Sequence, residues 1–156
     1  GAPAIHRVVT IARLLDHEEL PGERFNILLE GVQRAEVAEE LPAQGYRAIR
    51  VAPLVDLLGP EDRGAVSERR REMVALAERL GAREPELAKA LTNLENIHRH
   101  PGIISDFLGS LLVSDAYERQ SLLSERRVLR RMDLVCVELR RRLAGLADPT
   151  LHSAEE

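Results

Sequence analysis

Residues 24–37 read RFNILLEGVQRAEV, and this stretch organises the first part of the chain. Phe25, Ile27 and Leu29 lie two residues apart, so in an extended backbone their side chains point to one face. Such alternation is typical of a half-buried strand. Gly31 interrupts the pattern, and a glycine inside a strand marks a bulge or a close approach of two backbones. We therefore predict an interrupted strand in the middle of a β meander.

The segments on either side extend this strand into a meander. Pro21-Gly22 is a turn signal, and short connections between successive strands favour antiparallel pairing. Pro53 has no backbone N–H to donate, so it can stand only at the end or edge of a strand. The predicted strands are 5–15, 24–30, 32–41 and 46–53, with a charged hairpin loop at 16–23 and a second turn at 42–45.

The spacing of apolar residues becomes helical after Gly59-Pro60. A proline at the first helical position marks a start, and Gly81 marks a stop. Asp115 and Glu118 have capping-box spacing, and Ser124 is expected to cap the last and longest helix. The predicted helices begin at Pro60, Pro85, Pro101, Ala116 and Glu125, and the last one ends at Leu143.

The helical part is predicted to be a compact bundle with an aliphatic core, since only 3% of the residues are aromatic. Helical spacing places Ile104, Phe107, Leu108 and Leu111 on one face of the third helix, with Ile103 and Leu112 beside it. The same spacing places Met132, Val135 and Leu139 on the core-facing stripe of the last helix. We predict that the core includes Phe107, Leu111, Met132, Val135 and Leu139.

Together these elements predict an α+β fold, in which an N-terminal antiparallel β meander is followed by a C-terminal α-helical bundle. The predicted parts are a β subdomain at 1–58, a helical subdomain at 59–149 and a flexible tail at 150–156. A chain of 156 residues with 44% hydrophobic and 31% charged residues is long enough for one domain or two small subdomains.

The net charge and the cysteine content disfavour or exclude several classes of function. A net charge of −4 and a pI near 5.8 disfavour a nucleic-acid or membrane-surface role. The single cysteine excludes an internal disulfide and a cysteine cluster for zinc. No run approaches about 18 apolar residues, and no signal peptide is visible. We predict a cytoplasmic protein that does not associate with membranes.

No catalytic, cofactor-binding or metal-binding residue is predicted. A P-loop requires G-x-x-x-x-G-K-[ST], but the only lysine, Lys89, stands in a helix without a glycine-rich loop. His98 and His100 are two residues apart, so on a helix they do not share a face; a helix cap or a surface pair is expected. Cys136 lies on an apolar stripe, where an inert buried thiol is expected. No Ser-His-Asp motif is recognisable.

Arginine runs are the one feature that favours nucleic acid. They are Arg69 to Arg71, Arg126-Arg127, Arg130-Arg131 and Arg140 to Arg142. Glutamates interleave these runs and aromatic residues for base stacking are few. A solvated arginine face with ion pairs along helices is the favoured interpretation.

Several stretches of the chain resemble those of a known protein family. GERFNILLEGVQRAEV (22–37) and YRAIRVAPL (46–54) are similar to the β subdomain of the N-terminal substrate-recognition domain of Lon proteases. HPGIISDFLGSLLVSDAYERQSLLSERRVLRRMDLVCVELRRRL (100–143) is similar to the helical part of that domain. The resemblance implies a PUA-like barrel joined to a helical bundle, and a role in recognising protein substrates rather than cutting them. The Ser–Lys dyad of Lon proteolysis has no counterpart, because no serine motif accompanies Lys89.

The chain departs from this family pattern at its front. Domains of this type open with further strands ahead of the one that matches 5–15 here. Two explanations stay open: extra strands ahead of Gly1 in the natural protein, or a homodimer joined through the β region, since an unpaired strand edge invites pairing. The absence of ATPase and protease motifs behind the helices resembles stand-alone members of the family or an excised domain.

Three functional hypotheses follow. The favoured one is a non-catalytic module that binds unfolded or hydrophobic polypeptides, with a protease or chaperone as a further partner and a binding surface of unknown position. The second is a PUA-like module that binds RNA through its arginine clusters. The third, a small hydrolase, would require a buried Ser–His or Cys–His pair. No ATPase or peptidase activity is expected.

Overall fold

The computed structural model describes residues 3–42, 45–97 and 100–147, without the side chains of 93–97. It confirms the α+β class: three antiparallel strands precede five α-helices. The strands are β1 (Val8–Leu20), β2 (Arg24–Leu41) and β3 (Ala48–Pro53). A short 3-10 turn, Pro60–Asp62, precedes the helices α1 (Arg63–Gly81), α2 (Pro85–Ile97), α3 (Pro101–Leu112), α4 (Ala116–Ser124) and α5 (Val128–Gly145).

The chain divides into two compact units, Gly1–Val55 and Asp56–Glu156, here called the β unit and the helical unit. The predicted subdomain boundary at 58/59 stays a prediction. Residues 43–44 of the second predicted turn, His98 and the predicted tail lie outside the described residues.

The β unit is a sheet in the order β1-β2-β3, with both neighbouring pairs antiparallel. The bulge expected near Gly31 is present, because Val32 is the extra residue between the pairs Ala12–Gly31 and Ile11–Gln33. β3 ends at Pro53, as its missing N–H requires.

The charged hairpin loop predicted at 16–23 is wrong. β1 continues through Leu20 and stays paired with β2, and only Pro21, Gly22 and Glu23 form the turn. Gly22 and Glu23 both have positive φ, at 82° and 55°, a conformation that glycine adopts freely and glutamate seldom does. Charged residues near a turn favour a loop, but a strand that is exposed to solvent also accommodates polar side chains. The hairpin is consequently long, and it extends well beyond the part of β2 that pairs with β3.

The helical unit contains the hydrophobic core. Residues of α1, α3 and α5 form most of it, and Met132, Val135, Cys136 and Leu139 of α5 are completely buried. Leu143 and Phe107 pack against this core while remaining partly buried. The predicted stripe of α5 is therefore confirmed.

The predicted core face of α3 is confirmed for Ile104 and Leu108 and is wrong for Leu111. Ile104, Leu108 and Leu112 are buried, at 2%, 0% and 1% exposure, whereas Leu111 is 41% exposed. Residues four apart along a helix share a face, so these three residues form the face that α5 covers. Leu111 lies about 60° from Leu108, at the edge of that face on the side away from Leu112.

The predicted start of the last helix is also wrong. Ser124 is the last residue of α4, and Arg127 precedes the first residue of α5 without a side-chain cap bond. The segment before α5 is instead bound to Leu57, whose N–H donates to the carbonyl of Arg126 at 2.8 Å. The Leu57 carbonyl accepts from the N–H of Val128 at 3.1 Å. This tertiary pairing keeps the backbone extended where sequence spacing favoured helix. Asp115, by contrast, caps α4 as predicted, accepting from the N–H of Glu118 at 2.8 Å.

Arg131 is the largest completely buried side chain of the described residues. Its two terminal nitrogens donate to both carboxylate oxygens of Asp56, at 2.8 and 2.7 Å. Its Nε lies 3.0 Å from an oxygen of Asp106 on α3. The carbonyl of Glu125 accepts a further bond at 3.0 Å. The solvated arginine face expected for the run Arg130-Arg131 is therefore wrong for Arg131.

We expect the stability of the helical unit to depend on Glu125 in acid. The Arg127 side chain, 2.8 and 3.0 Å away, lowers the pKa of Glu125 to about 2. A carboxyl whose folded pKa is depressed stabilises the fold above its unfolded pKa, near 4.3, and loses this contribution as the pH falls towards 2. Arg127 is 68% exposed, so solvent screening limits the contribution to about 1 kcal/mol.

The measurement is urea denaturation followed by helical circular dichroism at pH 6, 4, 3 and 2. The Glu125→Gln variant should start less stable and lose about 1 kcal/mol less than the parent between pH 6 and pH 2. Glu68→Gln, at an exposed α1 position, serves as the control. Parallel profiles for the parent and Glu125→Gln would contradict this linkage.

Candidate protein-binding surface

The β hairpin presents an apolar surface. Phe25, Ile27 and Leu29 of β2 are 55%, 58% and 52% exposed, and Leu14 of β1 is 56% exposed. Leu14 is the cross-strand partner of Leu29, and partners on antiparallel strands lie on the same face. We call these four residues the hairpin strip.

The sequence pattern that defines the strip also explains its position. Side chains two apart on β2 share one face. On β1, Leu15 is an extra residue in the register and shifts it, which brings Leu14 opposite Leu29 while His17 stays opposite Ile27. The centroid of the His17 ring lies 6.4 Å from that of the Phe25 ring. The two rings extend the strip towards the turn.

Burial within the β unit is slight. Ala35 is the one buried hydrophobic residue among the described residues of this unit. It lies where β2 pairs with both β1 and β3. Leu15 and Leu28 are also exposed, at 52% and 58%. Exposed apolar side chains that are contiguous, rather than scattered singly, mark interaction surfaces in soluble proteins. The prediction of a half-buried strand was therefore right about the alternation and wrong about the burial of Phe25 and its neighbours.

The surroundings of the strip are acidic. Residues 13–30 contain five carboxylates and two arginines. Glu18 accepts a hydrogen bond from Asn26 at 3.1 Å, and Arg13 lies 3.7 Å from Glu30. Glu19, the cross-strand partner of Phe25, and Glu23 in the turn have no ion pair within the described part of the chain.

β1 also provides a backbone edge. The sheet order places β1 at one side of the described sheet, so its outward backbone groups have no described strand beside them. Such an edge is the usual template for adding an extended peptide as a further strand. The hairpin therefore combines an apolar strip, an acidic turn region and a strand edge.

Three of the residues considered as catalytic or metal-binding candidates lie in the described part of the chain. Lys89 is 73% exposed and pairs with Glu86 at 2.6 Å. Cys136 is completely buried, and burial, with a smaller effect of Glu72, raises the pKa of its thiol to about 11. His100 caps α3, its Nδ1 accepting from the N–H of Gly102 at 3.2 Å. The expected exposure of Lys89, the expected burial of Cys136 and a helix cap at His100 are confirmed, whereas the inertness of the thiol stays a prediction.

Several arginines of the runs are engaged with carboxylates. Arg69 contacts both Glu72 and Asp133, and Arg140 also contacts Glu72. Arg141 and Arg142 contact Glu138, the latter also Glu84. Three of these pairs join successive turns of one helix, two join α1 to α5, and one joins α5 to the connection before α2. Positive charge neutralised in this way is less available to phosphate groups, so the structure lends the RNA hypothesis little support.

The described residues also form a groove. A groove of about 580 Å³ runs along α1, lined by Ser67, Arg70, Arg71, Val74, Ala75 and Glu78. Its lining mixes charges of both signs without a buried reactive group. No group of three or more His, Cys, Asp or Glu side chains in the described part of the chain is arranged to hold a metal ion. No described helix combines the length and apolar character needed to cross a membrane.

Solved structures share this arrangement of a β meander followed by helices. The N-terminal domain of the Mycobacterium avium complex Lon protease superposes with a TM-score of 0.65 at 19% identity, over 89% of this chain and 75% of that one. The Lon N-terminal domain protein from Xanthomonas campestris gives a TM-score of 0.53 at 19% identity, over 85% and 68%. At these identities the likeness concerns the fold.

The sequence comparisons define the family. Residues 1–141 match the substrate-binding domain of ATP-dependent protease La (Lon), and the chain belongs to this family. It is 27% identical over 147 residues to the Lon protease of Anaeromyxobacter dehalogenans, covering 91% of this chain and 17% of that protein. It is 28% identical over 134 residues to the Lon protease of Trichlorobacter lovleyi, covering 84% and 16%. The chain thus spans about one sixth of the length of these relatives.

Proposed function

We propose that this chain is a non-catalytic module that binds unfolded or hydrophobic polypeptide segments through the hairpin strip. The observation that carries the proposal is the exposure of four large apolar side chains on one hairpin of a Lon-type substrate-binding domain. The paired Lys89 and the buried Cys136 support a binding role rather than a catalytic one.

The strip has the energetics of a weak and general binding surface. Full burial of a large apolar side chain contributes about 1.5–3 kcal/mol, so covering the exposed half of each strip residue contributes about 1 kcal/mol. Four such contributions correspond to a Kd of about 1 mM before the costs of association. A segment held by the strip therefore requires additional contacts, and a folded protein, whose apolar residues are already buried, would not be held.

The test is a binding assay with ribonuclease A in its native form and in its reduced, alkylated and hence unfolded form. We expect the chain to bind the unfolded form only. The double variant Ile27→Thr, Leu29→Thr retains β-branched side chains suited to a strand and should weaken binding about tenfold or more. The matched control is Val137→Thr, since Val137 is 59% exposed on α5 in the helical unit.

Equal binding by the parent and the double variant would contradict the assignment of the strip. Salt-sensitive binding of single-stranded RNA, with no preference for the unfolded protein, would favour the RNA-binding alternative instead. Nucleotide or peptide hydrolysis by the purified chain, abolished by Lys89→Ala, would contradict the non-catalytic role.

A further inference from the structure

The connection that leads into the helical unit is attached to α5 by both backbone and side chain. Leu57 makes two backbone hydrogen bonds to the segment before α5, in an isolated parallel bridge opposite Arg127. Beside it, Asp56 accepts two hydrogen bonds from the buried Arg131. Leu57 is 46% exposed, and two backbone bonds outside a continuous ladder open readily by themselves. The ion pair therefore determines whether this attachment stays closed.

The space for this ion pair depends on Gly102 of α3. A Cβ at this position would overlap a carboxylate oxygen of Asp56 and would lie 2.8 Å from a terminal nitrogen of Arg131. Glycine has no Cβ, so the carboxylate can lie against the first turn of α3. The first turn of a helix favours a nearby negative charge. Asp56 is thus held by α3 as well as by Arg131.

The attachment sets the length of the chain between the two units. On the side of the β unit, the N–H of Leu54 donates to a carbonyl of β2 at 2.9 Å. Val55 alone stands between this bond and Asp56. Without the attachment, the next held residue is Gly59, whose N–H is bonded within the 3-10 turn. The connection would then comprise residues 55–58, and its reach would grow from about 4 Å to about 14 Å, at about 3.5 Å per extended residue.

We propose that Asp56, Gly102 and Arg131 form a latch that holds the connection against the helices and thereby restricts independent movement of the β unit. When the latch is closed, the short connection limits this movement. When the latch is open, residues 55–58 form a flexible link and each unit moves on its own. All three residues belong to the helical unit, so the latch operates whatever lies beside β1 and whatever the hairpin binds.

A matched pair of variants tests the latch locally. Asp56→Ala removes the carboxylate of the connection, and Asp106→Ala is the control. Both carboxylates are partners of Arg131 and are similarly exposed, at 27% and 33%, but Asp106 lies on α3. Hydrogen exchange of the full chain by NMR should show the Leu57 amide exchanging about tenfold faster in Asp56→Ala than in the control. Expressing this rate relative to the core amides of α5 separates local opening from global destabilisation.

The second measurement is the rotational correlation time of each unit, obtained from nitrogen relaxation of the full chain. In the parent and in Asp106→Ala, the amides of both units should give one common correlation time. In Asp56→Ala the β unit should give a shorter time, because the smaller unit tumbles faster on its own than the whole chain does. Gly102→Ala leaves both carboxylates in place but fills the space beside Asp56, so it should reproduce both results.

Three outcomes would overturn the proposal. Unchanged exchange of the Leu57 amide in Asp56→Ala and Gly102→Ala would show that the ion pair does not hold the connection. Faster exchange with one common correlation time would show that the latch does not restrict the β unit. Two correlation times already present in the parent would have the same meaning. If Asp56→Ala loses the helical circular dichroism of the parent, Asp56→Asn, which retains the shape of the side chain, takes its place.

Discussion

Replacing Arg131 with methionine is expected to destabilise the helical unit by about 3–5 kcal/mol. Methionine retains much of the volume but removes the hydrogen bonds to Asp56 and the Glu125 carbonyl and the ion pair with Asp106. Breaking a buried ion pair from one side leaves uncompensated charge, which costs more than the intact pair contributed. The Asp56 and Asp106 side chains are 27% and 33% exposed, so some of this charge regains water and the lower end of the range is expected.

Urea denaturation followed at 222 nm measures this loss in the full chain. Arg130→Met is the matched control, because Arg130 is the exposed neighbour on the same turn of α5. It should change the free energy of unfolding by less than about 0.5 kcal/mol. Adding Asp56→Asn and Asp106→Asn to Arg131→Met should restore part of the loss, since the uncompensated charges are then removed. A loss no larger than that of the control would mean that the ion pairs do not stabilise the fold.

Replacing Leu108 with alanine is expected to cost about 2–5 kcal/mol. Leu108 is completely buried on α3 and belongs to the core formed with α5. Its truncation removes apolar contacts and leaves a cavity among close-packed neighbours. The magnitude depends on how far the neighbouring side chains relax into that cavity.

Leu111→Ala provides a control of the same residue type on the same helix. Leu111 is 41% exposed, so its truncation should cost about 1 kcal/mol or less. The two variants have the same change in helix propensity, and their difference in unfolding free energy reports burial. Equal losses would contradict the orientation of α3. Phe107, only partly buried, should lie between the two rather than show the full cost of a core phenylalanine.

The local features of this fold were predictable because their causes are local. Alternation at Phe25, Ile27 and Leu29 identifies an extended strand whatever covers it. Asp115 caps α4 because its side chain reaches an N–H three residues away. Gly31 indicates the β-bulge at the neighbouring residue. The order of strands and helices, and hence the resemblance to Lon substrate-binding domains, follows from such signals.

The candidate surface was only half predictable. Periodicity shows which residues of β2 share a face, and this identified three members of the hairpin strip. It does not show whether another element covers that face. Leu14 was missed because the extra residue Leu15 changes the pairing, and a bulge in β1 leaves no signal as clear as the glycine in β2.

The sequence by itself determined the secondary elements, their order, the apolar stripe of α5 and the lack of recognisable catalytic motifs. Only the tertiary structure decided which faces are buried. Arg131 is buried because Asp56, 75 residues away, and Asp106 converge on it. α5 begins at Val128 rather than at Glu125 because Leu57 holds the preceding residues extended. Both outcomes depend on contacts between segments distant along the chain, and a pattern measured over a few neighbouring residues contains no information about such contacts.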